Sequence, residues 1–163
     1  MNKKILYLFL ALALPIVVFL FLKYFGKNEF DIPVYYEKGV ADSLTSKCGV
    51  KINRPYVVPE SALANLKWSD SVTLVADVDE VELKALNQLM EEKGFTDLRV
   101  LVLPGFLQAN KLTEFKECIL FMRKPWNVVL VDEQKRIRGY YKIGYRDEMD
   151  RLDVELKILL KKY

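Results

Sequence analysis

The longest apolar run in the chain comes first: Ile5 to Leu22 (ILYLFLALALPIVVFLFL) holds no charged residue. Counted with its flanks, Met1 to Phe25, it is just long enough to cross a bilayer as a helix. Pro15 in its middle is tolerable in such a helix, where it adds a kink. The pattern then breaks. Gly26 to Asn53 is polar, contains Pro33 and Gly39, and keeps neither the helical nor the strand period, so it is predicted to be a juxtamembrane linker. Phe30, Tyr35 and Tyr36 are the residues that would dock it on a membrane or a partner if it is more than a tether. Arg54 to Leu63 (RPYVVPESAL) lies between prolines and is predicted to be a short edge strand.

From Val72 onward the pattern is regular. Val72 to Val78 (VTLVADV) is apolar and β-branched, as a buried strand is. Asp79 and Glu82 have the spacing of a capping box, and Leu83, Leu86 and Met90 mark one helical face running to Gly94. Leu98 to Leu103 (LRVLVL) is a second buried strand, closed by Pro104-Gly105. This β-α-β unit implies parallel strands and a right-handed crossover. A short helix follows from Asn110 to Cys118, then strands Asn127–Asp132 (NVVLVD) and Arg136–Ile143 (RIRGYYKI). The brief polar connection between those two predicts an antiparallel hairpin. A last helix spans about Arg146 to Lys162, with Met149, Leu152, Leu156, Leu159 and Leu160 on one face. Val75, Val100, Leu130 and Val131 are the expected centre of the sheet. The chain thus divides into an anchor (1–25), a linker (26–53) and one domain (54–163).

Hydrophobic content of 52% over 163 residues is high for one soluble domain, and the first segment explains the excess. That segment could also be a signal peptide, but no small-x-small cleavage site follows it; Lys23, Tyr24, Phe25, Gly26 and Lys27 do. Two lysines flank each side, so charge sets orientation weakly, and the short amino-terminal tail favours the domain lying outside the cytoplasm. The 25 basic residues include Lys3, Lys4 and Lys23, so beyond Phe25 there are 22 bases to 22 acids. A formally neutral domain speaks against nucleic acid, which needs a basic face. The chain has no histidine, and so lacks the commonest general base and the commonest soft-metal ligand. Its two cysteines, Cys48 and Cys118, are expected to form one structural disulfide in an oxidising compartment. The alternative is an unpaired buried thiol.

The order β-α-β-α-β-β-α is that of the thioredoxin fold: a mixed α/β sheet flanked by helices, here preceded by one transmembrane helix. Pro125, just before the third strand, resembles the cis proline that stands beside the active site in thioredoxin-like proteins, although a trans loop proline has the same sequence. Leu130-Val131-Asp132, Arg136-Ile137-Arg138-Gly139-Tyr140-Tyr141 and the Leu-rich last helix resemble the end of the SCO/SenC family. That family consists of membrane-anchored thioredoxin-like proteins that help deliver copper to cytochrome c oxidase. The likeness covers residues 127–163; the anchor, linker and Pro-Tyr-Val-Val-Pro segment agree in layout only. Lys135 stands where the family usually has a glycine in the hairpin turn. The resemblance implies a bacterial inner-membrane protein with a periplasmic domain.

The chemistry departs further. The family binds copper through Cys-x-x-x-Cys after the first strand plus a distant histidine, and thioredoxins place Cys-x-x-Cys at the same junction. There a helix amino-terminus lowers the thiol pKa. Here the stretch reads Ala76-Asp77-Val78-Asp79-Glu80-Val81, so no catalytic residue, cofactor or metal ligand of the family type is expected. Asp77, Asp79, Pro125 and Trp126 mark a vestigial active-site region. Asp77, Asp79, Glu80 and Glu82 could hold a hard cation such as calcium, but capping and dipole stabilisation is the simpler reading. Met122 and Met149 with the cysteines could bind Cu(I); core packing explains both methionines. Lys135, Arg136 and Arg138 are expected on a solvated hairpin rather than against anionic headgroups, and Trp68 and Trp126 in packing roles. The function that follows is a non-catalytic accessory or scaffold protein, associated with a respiratory membrane complex, an oxidase or cytochrome complex, or with its assembly. The rivals are a thiol-disulfide protein using Cys48 and Cys118, and a copper chaperone with a rebuilt site.

Overall fold

The computed structural model describes residues 3–25, 31–45, 48, 54–63, 68, 71–103 and 109–160. Phe30, the Pro104-Gly105 closure and the end of the last helix at Lys162 fall outside them. The chain forms two compact units, Met1–Phe30 and Asp31–Tyr163. In the first, α1 (Lys3–Phe25) is a 23-residue helix containing Pro15. Its side chains are described without a break over residues 11–21. Among the described residues no helix is long and apolar enough to cross a membrane.

The second unit adds α2 (Asp42–Thr45), α3 (Glu60–Leu63), β1 (Val72–Ala76), α4 (Glu80–Lys93), β2 (Leu98–Val102), α5 (Ala109–Glu114), β3 (Val128–Val131), β4 (Ile137–Tyr141) and α6 (Arg146–Leu159). A π-helical turn, Phe115–Ile119, continues α5. The four strands form one mixed sheet in the order β2-β1-β3-β4. β1 runs parallel to β2, with Leu74 opposite Val100, and antiparallel to β3, with Val75 opposite Val129. β3 and β4 are antiparallel, with a bulge between Leu130 and Val131.

Side-chain alternation along the strands separates two cores. Leu74, Ala76, Val128, Leu130 and Tyr141 face Leu86 and Met90 of α4 and Leu152 and Leu156 of α6. Val75, Leu101, Val129, Val131 and Ile137 face Phe115, Leu120, Phe121 and Met122. Helices α4 and α6 thus share one face of the sheet, and the α5 side takes the other. Both faces being covered, β1, β3 and β4 are buried at every position. β2, one of the two edge strands, is only half-buried, and Val100 with it, so Val100 does not lie at the centre of the sheet.

Three predictions change. The stretch read as an edge strand is not one: among the described residues its backbone reaches the rest of the domain through Tyr56 N–H to Tyr36 C=O (3.2 Å) and Val58 N–H to Lys135 C=O (2.9 Å), and Glu60–Leu63 turns helical. The Arg54–Pro55 peptide is cis. The stretch read as a tether is held against the domain at Ile32, Tyr35 and Tyr36. Tyr35 N–H donates to Ile137 C=O (2.9 Å), Ile32 is buried, and the rings of Tyr35, Tyr36, Tyr56, Phe121 and Tyr140 pack edge to face. Aromatic pairs of this kind add to their area burial. Finally, Arg138 is not solvated. It is 3% exposed and donates to Asp132 (3.2 Å), Asp31 (2.6 Å) and the Ile32 carbonyl. Arg136 shares Asp132 with it at 2.8 Å. The hairpin carries Lys135 at φ +62°, the left-handed conformation that glycine adopts without strain. Lys135 also reaches Glu60 at 2.5 Å, which holds the Glu60 carboxyl below the usual carboxylate range.

Candidate functional site

Where β1 ends, the chain enters α4 through the expected cap. Asp79 Oδ1 accepts from Glu82 N–H (2.8 Å), and Asp79 N–H donates to Glu82 Oε2 (3.3 Å), so both partners of a capping box are present. Asp77 pairs with Lys116 from the π-helical turn, and Glu82 pairs with Lys142 beyond β4 at 2.9 Å. Three of the four acids proposed as a cation cluster are therefore committed to caps or ion pairs. Among the described residues no group of three or more His, Cys, Asp or Glu is arranged to hold a metal.

Opposite this helix start, the Lys124–Pro125 peptide is cis. Pro125 and Trp126 line the same cleft as Asp77 and Glu82, so three of the four marked residues meet in one place, with Asp79 capping the helix beside them. The cleft encloses about 1050 Å³ and also takes in Lys116, Arg123, Lys124, Asn127 and Lys142. Trp126 is 36% exposed, and the Arg151 guanidinium lies 5.9 Å from its ring centroid.

Asn127 anchors the floor. Its backbone carbonyl accepts from Asp77 N–H (2.8 Å), and its N–H donates to Tyr141 C=O (3.0 Å). Its side-chain Oδ1 accepts from Ile143 N–H at 2.8 Å, which assigns the amide orientation. Nδ2 is then a buried donor with no partner among the described residues, on a side chain that is 7% exposed.

The cysteines lie elsewhere. Cys48 and Cys118 are disulfide-bonded with a Cα–Cα distance of 5.3 Å, the pairing expected from their count. Cys118 is buried in the π-helical turn. Two residues past that turn Phe121 adopts φ +50°, and Met122 N–H bonds back to Lys116 C=O (2.8 Å). Met122 is buried and Met149 partly buried, one in each core. Trp68 packs partly buried against the first core.

Sequence reasoning missed Lys116, Arg123, Asn127 and Lys142. Lys116 meets Asp77 across 39 residues and Lys142 meets Glu82 across 60, separations at which no local period carries a signal. Comparison with protein-family models, with curated proteins and with solved structures finds no match to this chain.

Proposed function

We propose that the chain is a membrane-anchored accessory protein whose thioredoxin-like domain, outside the cytoplasm, docks a partner rather than performing chemistry. The observation that carries this reading is the content of the cleft. At the helix start opposite a cis proline, where thioredoxin-like proteins carry their reactive thiol, stand two ion pairs and a capping box. The strand order β2-β1-β3-β4, with β3 antiparallel and α4 and α6 on one face, supports the fold assignment. The anchor is supported by the outward-facing Leu12, Leu14, Ile16, Val17, Phe19, Leu20 and Phe21 of α1, apolar all round the helix.

The resemblance of residues 127–163 to the SCO/SenC ending is what points to a respiratory oxidase or cytochrome complex, or its assembly, as the partner. The redox alternative is weakened by the burial of Cys118, since a reactive pair needs access as well as a depressed pKa. The test is affinity purification from detergent-solubilised membranes, with a Trp126→Arg variant as the control. Oxidase or cytochrome subunits retained by the wild type and lost by the variant are the expected result. Alkaline extraction should leave the chain in the membrane, and external protease should reach the domain in spheroplasts. A domain shielded by the cytoplasmic membrane would refute the topology.

A further inference from the structure

The segment that opens the second unit is bound to the domain along its inner side. Tyr35 N–H donates to Ile137 C=O (2.9 Å), Asp31 and the Ile32 carbonyl accept from Arg138, and Cys48 is bonded to Cys118. The stretch from Arg54 lies beside it, since Tyr56 N–H donates to Tyr36 C=O (3.2 Å), and there Tyr56 and Val58 are buried. The surface left over is apolar and basic. Tyr35 is 37% and Val57 39% exposed, and Pro33 and Pro55 are exposed as well. Arg54 lies against Gly39, next to Lys38, and both bases are exposed. Arg123, also exposed, joins the segment by donating to Leu44 C=O (3.3 Å). The exposed acids of the segment are Glu37, Asp42 and Asp31, of which Asp31 is held by Arg138.

We propose that this surface lies on the bilayer that α1 enters, with Tyr35, Val57 and the two prolines at headgroup level and Lys38, Arg54 and Arg123 against anionic lipid. The inference rests on the anchored reading above and adds what an anchor alone does not require, a fixed lipid-facing side to the domain. Residues 26–31 alone separate α1 from Ile32, so no part of the second unit is nearer the anchor along the chain. The side chains suit that depth. A tyrosine is apolar in its ring and polar at its hydroxyl, and such residues collect at membrane interfaces. Prolines bring no N–H that would lose its water there, and bases gain from the negative surface potential. Because the segment is bound to the domain at Asp31 and again at Cys48, seating it seats the domain.

The experiment uses the full chain in nanodiscs, with a photo-reactive benzophenone residue at position 57 or, as control, at position 81, where Val81 is 78% exposed on α4. Mass spectrometry reads the lipid adducts. With about a third of the lipid anionic, position 57 should give roughly tenfold more adduct than position 81, and purely zwitterionic discs should lower it roughly threefold. Raising salt should lower it in the anionic discs alone. Lys38→Glu combined with Arg54→Glu should reproduce the fall. Should that variant melt at a much lower temperature, the comparison of lipids, which needs no charge reversal, decides. Equal adducts at the two positions, indifference to anionic lipid or to a folded charge-reversed variant, or protein in place of lipid crosslinked to position 57 in native membranes would overturn the inference. Alkaline extraction separates it from the reading on which it rests. A chain that stays in the membrane yet gives no lipid adduct at position 57 loses the seating and keeps the anchor, whereas a chain that washes out loses both.

Discussion

Gly139 sits in the middle of β4, and its reason is steric. A Cβ there would lie 2.3 Å from the Tyr141 hydroxyl and 2.7 Å from Cζ of the same ring. That ring is fully buried, held by Glu155 and overlain by Arg151 at 4.7 Å, so it has nowhere to retreat. Gly139→Ala should destabilise the domain by about 1–3 kcal/mol, as overpacked cores do, measured by urea unfolding. A change near zero would mean that the ring moves freely. Arg138 is the second decisive residue. Replacing it with Met fills much of the space but leaves Asp132 buried with Arg136 as its remaining cation. A loss of about 3 kcal/mol is expected, at the low end for a broken buried pair. At this scale the sequence was half legible. Arg138 looks like one more charge on a basic hairpin, and nothing local signals that residues 31 and 32 return to cover it.

Among the elements, α4 was the most legible, because every signal for it is local. The Asp79–Glu82 spacing, the Leu83-Leu86-Met90 face and Gly94 all lie within one short stretch, and Gly94 closes the helix at φ +66°. Asp79→Ala removes the side-chain half of the cap and should cost about 1 kcal/mol, read as a lower thermal midpoint with the fold intact. The Arg54–Leu63 stretch was misread for the opposite reason. Its prolines suggested an edge strand, but it joins no sheet, and its hydrogen bonds to the rest of the domain go to Tyr36 and Lys135, partners no period in the segment reveals. The cleft repeats the lesson. Its acidic half was visible at the start of α4, whereas its basic half comes from the π-helical turn, the proline loop and the end of β4, which only the tertiary fold brings together.

On the scale of the molecule, two features govern stability. The first is the set of buried and half-buried tyrosines, three of them on one face of the sheet and Tyr141 on the other. Burial raises the pKa of Tyr36, Tyr56, Tyr140 and Tyr141 above the ordinary 10.0, with the Glu155 carboxylate adding to the rise at Tyr141. The neutral phenols are bound up in the fold: Tyr56 donates to Ile119 C=O (2.6 Å) and Tyr140 to Leu120 C=O (2.7 Å). A folded pKa above the unfolded one gives stability that is complete below pH 10 and declines as pH climbs past it. Stability should therefore fall steeply above about pH 10. Phenolate absorbance from these four residues should rise together with loss of helical signal rather than ahead of it. The second feature is the bond between Cys48 and Cys118, 70 residues apart. Closing a loop of that length stabilises by up to about 4 kcal/mol in the chain-entropy model. Cys48→Ser should lower the unfolding midpoint and speed amide exchange over residues 31–45, while membrane insertion stays unchanged. Unaltered exchange there would show that the aromatic contacts alone hold the segment.

The same bond sets how the domain would bear a pull between its two ends. Tension entering at Asp31 passes through Cys48 directly to Cys118 and leaves along β3, β4 and α6, so the stretch between the cysteines, with β1, α4 and β2, hangs outside the load path. Under force, α6 and the β3–β4 hairpin would peel away first, and the parallel β1–β2 pair would remain as a slack loop. Reduction would put that loop back in series and lengthen the extended chain by the residues it contains.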